Sequence, residues 1–280
     1  MQNCVKHHPK WGRVFWLCNE HIEIGVALDF GLRIVHVSCT GMENLFYEQP
    51  TDLSDGFCNT NGWKLYGGHR LWLAPESDSS YAPDNAPVIW QEEPDGSFLF
   101  RQEPDMLQNT EKSFRIRLLD DGIAELENRI KNISNTPLTG ATWGVNTFSG
   151  GGTAEIPFST DTQNPYSPHR LVSLWGETNL SDERLHFTKD SLTAQYLPIP
   201  DYLKIGMYCR DGYAIFQNKG QRFRLEFPVN VISHLPDNGC NFELYMNQSF
   251  MELETLGTVV CLQPGETASH IETWQISPIA

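Results

Sequence analysis

The sequence holds no apolar run approaching the roughly 18 residues of a membrane-spanning helix, which argues against a membrane protein. Nor does an apolar segment of about 7 to 15 residues follow the polar stretch 1–11 with its Lys6, His7, His8 and Lys10. The chain is therefore expected in the cytoplasm, with residues 1–11 as a loosely ordered N-terminal extension. The seven cysteines are scattered with no C-x-x-C pair, an odd number that makes a poor disulfide framework, and they read as free, mostly buried thiols. Positive charge is scarce: 20 Lys+Arg face 35 Asp+Glu, a formal charge of −15. That field repels a phosphate backbone, so nucleic acid is not an expected partner. A phosphorylated sugar would need a local basic pocket, and no Lys/Arg cluster supplies one. The histidines lack zinc-ligand spacing, and the G-x-S-x-G elbow, the P-loop and a G-x-G-x-x-G after a strand are all missing, so neither metal nor cofactor is expected. No segment of three turns keeps the helical period of about 3.6.

What is present is alternation. His21–Val26, Phe114–Leu118 and Arg222–Phe227 each alternate apolar and polar residues, the pattern of half-buried strands. Turn residues separate such runs, as in Glu93-Pro94-Asp95-Gly96 and Pro236-Asp237-Asn238-Gly239. This predicts an all-β, mainly antiparallel sandwich or barrel with few short helices. No linker divides the chain, so residues 1–280 are expected to form one domain. Residues 50–86 and 143–168, rich in Gly, Ser, Asn and aromatics, are expected as long loops bordering a functional cleft.

Three groups could carry chemistry. In Gly67-Gly68-His69-Arg70-Leu71-Trp72-Leu73-Ala74-Pro75-Glu76, an extended backbone puts Arg70 and Trp72 on one face. An indole stacks on the apolar face of a pyranose while a guanidinium bonds its hydroxyls. The alternative is a buried Trp beside an ordinary ion pair. In Phe250-Met251-Glu252-Leu253-Glu254-Thr255, the two glutamates share a face about 7 Å apart in a strand. Like charges that close suit a cleft in which one carboxylate is held by a cation and the other has a raised pKa, although a solvated acidic face reads equally well. The third group is Trp143-Gly144-Val145-Asn146-Thr147-Phe148, with Trp175 and Arg184 beyond it, which line either a sugar site or a core.

At these residues the sequence resembles the galactose mutarotase (aldose 1-epimerase) superfamily, and more closely a branch of mutarotase-like bacterial proteins. The resemblance rests on Gly67–Glu76, Ala124–Trp143 and Lys204–Ile276 and runs through most of the chain. It implies a β-supersandwich and a mono- or oligosaccharide ligand. In the family a glutamate in a Leu-Glu-Thr context takes the anomeric proton, which points to Glu254 in Leu253-Glu254-Thr255 as base. Glu252 or His69 would be its partner, and Arg70, with Trp72, Glu76, Trp143, Asn146 and Arg184, would bind substrate. The family's mid-chain general-acid histidine has no counterpart, since the segment reads Thr142-Trp143-Gly144-Val145-Asn146-Thr147-Phe148. The expected function is thus an epimerase-like, carbohydrate-binding protein. The competing readings are a sugar-binding module without catalysis and a structural or partner-binding β domain.

Overall fold

The computed structural model describes residues 3–50, 62–119, 121–159, 166 and 168–279. Among the described residues, two antiparallel sheets face each other. The larger has eleven strands, in the order Cys4–His8, Gly12–Cys18, Ile22–Ala27, Ile34–Cys39, Gly68–Ala74, Leu138–Ser149, Phe250–Leu256, Phe242–Met246, Leu203–Met207, Val172–Leu174, with Val260–Leu262 also paired to Leu138–Ser149. The second has ten, in the order Leu185–Phe187, Ser191–Gln195, Thr153–Pro157, Tyr213–Asn218, Gln221–Glu226, Thr267–Pro278, Ile123–Asn132, Thr110–Leu118, Phe98–Arg101, Ile89–Glu92. Helix among the described residues amounts to two short 3₁₀ turns, Asp78–Tyr81 and Ile232–His234. None is long or apolar enough to cross a membrane. The fold is the all-β sandwich that the alternation predicts.

The two sheets bury their strands differently. In Thr110–Leu118 every second residue is buried, with Phe114, Ile116 and Leu118 in the core between the sheets and Arg115 and Arg117 outside. Each such buried apolar side chain contributes about 1.5–3 kcal/mol. Phe148 of the larger sheet stacks on Phe216 of the smaller at 4.3 Å between ring centroids, and Leu203, Ile205, Phe242, Leu244, Met251 and Leu253 join the same core. Phe250–Leu256, by contrast, is buried at every position. Its other face is covered by a second apolar cluster that includes Trp63, Leu65, Trp72, Trp143, Val145, Phe250 and Leu256. A central strand wrapped on both faces carries two independent sets of side chains, and one of these sets forms the site.

Two expectations are corrected. Cys4–His8 is a strand rather than a loose extension: it pairs from Cys4 opposite Trp16 to His8 opposite Gly12. The ring of His8 accepts from the backbone N–H of Lys10 and of Trp11, and Trp11 packs on Phe30, which closes the hairpin. Lys6 and His7 face outward, so the sequence lacks an apolar stripe although the backbone is bonded. The stretch 143–168 is not one loop either. Leu138–Ser149 continues through it, turns at Gly150–Gly152 and resumes as Thr153–Pro157. Its Gly and Asn are strand residues because Gly144 makes room for a neighbour, as described below. Residues 160–165 and 167 of that stretch, and 51–61 of the 50–86 stretch, lie outside the described residues.

Candidate functional site

Strand alternation sorts the centre of the larger sheet. Arg70 and Trp72 on Gly68–Ala74, Trp143, Val145 and Thr147 on Leu138–Ser149, Glu252 and Glu254 on Phe250–Leu256, Glu243 and Tyr245 on Phe242–Met246, and Lys204 on Leu203–Met207 all lie on the face away from the other sheet. The registers Arg70–Val145–Glu254–Glu243 and Thr147–Glu252–Tyr245–Lys204 put them side by side. Over them lies a cavity of about 350 Å³, lined in part by Trp63, Tyr81, Trp175, Tyr202, Phe250 and Glu76. The size fits a small-ligand site, and the lining is mostly aromatic with a few converging charges.

The two glutamates sit in two parallel but unlike arrangements. Glu252 Oε1 accepts from Arg70 Nη1 at 3.0 Å and from Thr147 Oγ1 at 2.7 Å, and the Arg70 guanidinium lies 4.4 Å from the Trp72 ring centroid. Glu254 Oε2 accepts from Trp143 Nε1 at 2.8 Å and from Lys204 Nζ at 3.3 Å. The Lys204 ammonium is 4.6 Å from the Trp143 ring centroid and 5.0 Å from that of Trp175. It also lies 2.9 Å from Glu243 Oε2 and 3.9 Å from Glu76 Oε2. Tyr81 Oη donates to Glu76 at the rim. Trp72 thus meets one cation and Trp143 with Trp175 another, and each cation holds a carboxylate.

The environments differ electrostatically. Burial pushes the Glu254 carboxyl from an ordinary 4.5 up to about 7; Lys204 and Arg70 pull it down and Glu252 pushes it further up. Burial also raises Glu243 well above the carboxylate range, with Lys204 opposing and Glu254 adding to the rise. At Lys204, burial works against the charge, but Glu254 and Glu243 outweigh it, so the ammonium is held more firmly than usual. A carboxyl balanced near neutral pH inside an aromatic cavity suits proton transfer.

Of the residues read from the sequence, Arg70, Trp72, Glu76, Trp143, Glu252 and Glu254 line this cavity. His69, Asn146 and Arg184 do not. His69 is on the alternate face of its strand, fully buried between the sheets, with Nδ1 3.0 Å from Asn146 Oδ1 and Nε2 3.0 Å from Asn128 Oδ1. Asn146 points the same way and donates to Glu272. Both are corrected by the pleat itself: neighbours of Arg70 and Val145 face the opposite side. Arg184 is buried in bonds to the Asp182 carboxylate and the Asp201 carbonyl, outside the cavity. Lys204, Glu243 and Tyr245 were missed. The signal was there in Leu203-Lys204-Ile205 and Phe242-Glu243-Leu244-Tyr245, where polar residues interrupt apolar strands at the period of two. A lone lysine is not a basic cluster, and only the fold brings Lys204 to Glu254.

Gly144 leaves no room for a side chain. A Cβ there would stand 2.2 Å from Glu272 Oε1, whose carboxylate accepts from Thr255 Oγ1 at 2.6 Å, Asn146 Nδ2 at 3.3 Å and Trp274 Nε1 at 2.7 Å. Beneath the cavity floor, therefore, lies a buried polar network that fixes the strands bearing Trp143, Val145 and Glu254.

No family model matches the sequence, and no curated protein matches it. Solved structures do match. A galactose mutarotase-like protein from Lactobacillus casei is 12% identical over 94% of this chain and 100% of that chain, with a TM-score of 0.57. A protein from Escherichia coli K12, provisionally described as an aldose 1-epimerase, is 11% identical over 95% of this chain and 99% of that chain, with a TM-score of 0.60. A TPR-domain containing protein from Parabacteroides distasonis is 14% identical over 96% of this chain but 48% of that chain, with a TM-score of 0.64. At these identities the likeness is one of fold: this chain has the galactose mutarotase-like β-sandwich.

Proposed function

We propose that this chain is a carbohydrate-binding protein of the aldose 1-epimerase-like type, with residues 1–280 forming one domain, and that Glu254 accepts the proton of the anomeric hydroxyl. One observation carries the reading: two carboxylates, each bonded to its own cation, share an aromatic-walled cavity. Glu252 is fixed by Arg70 and Thr147, whereas the Glu254 carboxyl is balanced near 7. In its ionised form Glu254 is positioned to take a proton, and Arg70, which lines the same cavity, to polarise a sugar hydroxyl. The indoles supply the stacking surface. Both cavity cations already hold carboxylates, so a neutral sugar suits the site better than a phosphorylated one.

A specific observation favours a second reading. Among the described residues that line the cavity there is no histidine, and His69 is held behind the sheet. Ring opening needs a proton delivered to the ring oxygen, and a site without that donor loses about 10²–10⁴ in rate. The second reading is a module that binds the sugar without interconverting its anomers. A panel of neutral mono- and oligosaccharides read by thermal shift tests the site, since a ligand at 100 times its Kd adds about 2.7 kcal/mol of stability. Polarimetry of freshly dissolved sugar then separates the two readings. A panel without any shift leaves the structural β domain in their place.

A further inference from the structure

Lys204 joins two carboxylates on the same face of the sheet, Glu254 in the cavity and Glu243 beside it. Glu243 stands opposite Glu254 in register, is 1% exposed, and has one oxygen on Lys204 and the other, Oε1, without a partner among the described residues. Two buried carboxylates so close repel unless a cation or a proton lies between them. Arg70 is bonded to Glu252, which leaves Lys204 as the cation in direct contact with Glu254, and it contacts Glu243 as well.

We propose that Lys204 is a positioning residue for Glu254: its ammonium, shared between Glu254 and Glu243, determines when Glu254 is free to accept a proton. The inference rests on the reading of Glu254 as base. The groups facing Glu254 are Arg70 and Trp143 from the strands on one side, Glu243, Tyr245 and Lys204 from those on the other, Glu252 from its own strand, and Glu76 and Tyr81 at the rim. His270 and Glu272 approach the opposite face of the sheet through Thr255. With one ammonium between two buried carboxyls, a proton lost from one is felt by the other. The pair therefore acts as a proton reserve beside the reacting position.

The site contains its own reporter. The Trp143 indole N–H bonds Glu254 Oε2 at 2.8 Å, so its ¹⁵N–¹H resonance follows the protonation of Glu254 with no substrate present. The resonance is assigned with Trp143→Phe, and Glu254→Gln shows which transition belongs to Glu254. In Lys204→Met the midpoint is expected to rise by about one to three pH units, and Lys204→Arg is expected to return it towards wild type. Lys204→Gln, which also removes the ammonium, is expected to raise it likewise. An unchanged midpoint in Lys204→Met overturns the proposal. If that variant does not give the dispersed spectrum of a folded chain, an unchanged midpoint in Lys204→Gln overturns it instead. Polarimetry tests the base assignment separately, so shifted midpoints without sugar turnover would count against the proposed function and not against the electrostatic coupling.

Discussion

Arg70 and Glu252 belong to strands that do not pair, and their side chains meet at 3.0 Å over the strand between them. Thr147 of that middle strand lies opposite Glu252 and bonds both partners. Arg70→Ala would leave a buried carboxylate unpaired, a change expected to cost about 3–5 kcal/mol in urea denaturation. Replacing both partners with apolar residues of similar volume should recover most of that loss. In the same Arg70→Ala variant, a sugar that binds the wild type should bind more weakly by about 1.5–3 kcal/mol, measured by calorimetry.

Glu254→Gln keeps size and hydrogen bonding but removes proton affinity. For a sugar that the wild type interconverts, turnover is expected to fall by about 10²–10⁴ while affinity changes little. Full retained activity would transfer the base assignment to Glu252.

The raised pKa of Glu254 has a consequence for stability with a definite sign. The folded carboxyl titrates near 7 and the ordinary one at 4.5. Between these values the folded state holds more protons, so this group's contribution is fully present below about 4.5 and is lost as pH rises through 7. The difference in Tm between wild type and Glu254→Gln should therefore change across that window, with the wild type losing relative stability towards alkaline pH. A constant difference would show that Glu254 titrates normally.

His270 runs the other way. Burial lowers its pKa to about 4, so its contribution is present above an ordinary 6.5 and is lost as pH falls through 4. His69, buried in the same layer, is lowered by burial too. His69→Leu is expected to leave the Asn128 and Asn146 side-chain amides without their histidine partner, at about 1–3 kcal/mol each in chemical denaturation. Sugar affinity of the folded fraction should be unchanged. A selective loss of affinity at full stability would return His69 to the site.

Gly144→Ala would drive a methyl group into Glu272 Oε1 and within 3.2 Å of Asn128 Nδ2 and Thr255 Oγ1. Overpacking of this kind is expected to cost about 1–3 kcal/mol or more in urea, because the obstructed carboxylate is pinned by three donors.

The sheet architecture was legible because period-two alternation survives in strands such as Thr110–Leu118, where one face meets solvent. The same rule placed Arg70 with Trp72 and Glu252 with Glu254. Nearness in sequence groups His69 and Asn146 with Arg70 and Trp143, and the same rule corrects it, because the pleat turns each to the other face. Lys204 and Glu243 were hidden for a different reason. Their meaning depends on strand order, which sets Leu203–Met207 and Phe242–Met246 beside Phe250–Leu256, and no local pattern encodes that adjacency. Cys4–His8 was misjudged because an edge strand is held by backbone bonds, which composition does not display.

The cavity floor joins Gly68–Ala74, Leu138–Ser149 and Phe250–Leu256, neighbours in space that are far apart along the chain. A chain leaving the ribosome must therefore hold the first of these open until the second arrives, and both until the last is made. Such non-local pairing folds slowly, on the millisecond-to-second scale, and leaves strand edges and aromatic side chains such as Trp72 and Trp143 exposed in the interval. Refolding yield should accordingly fall as protein concentration rises, and ligand binding should be among the last properties to return.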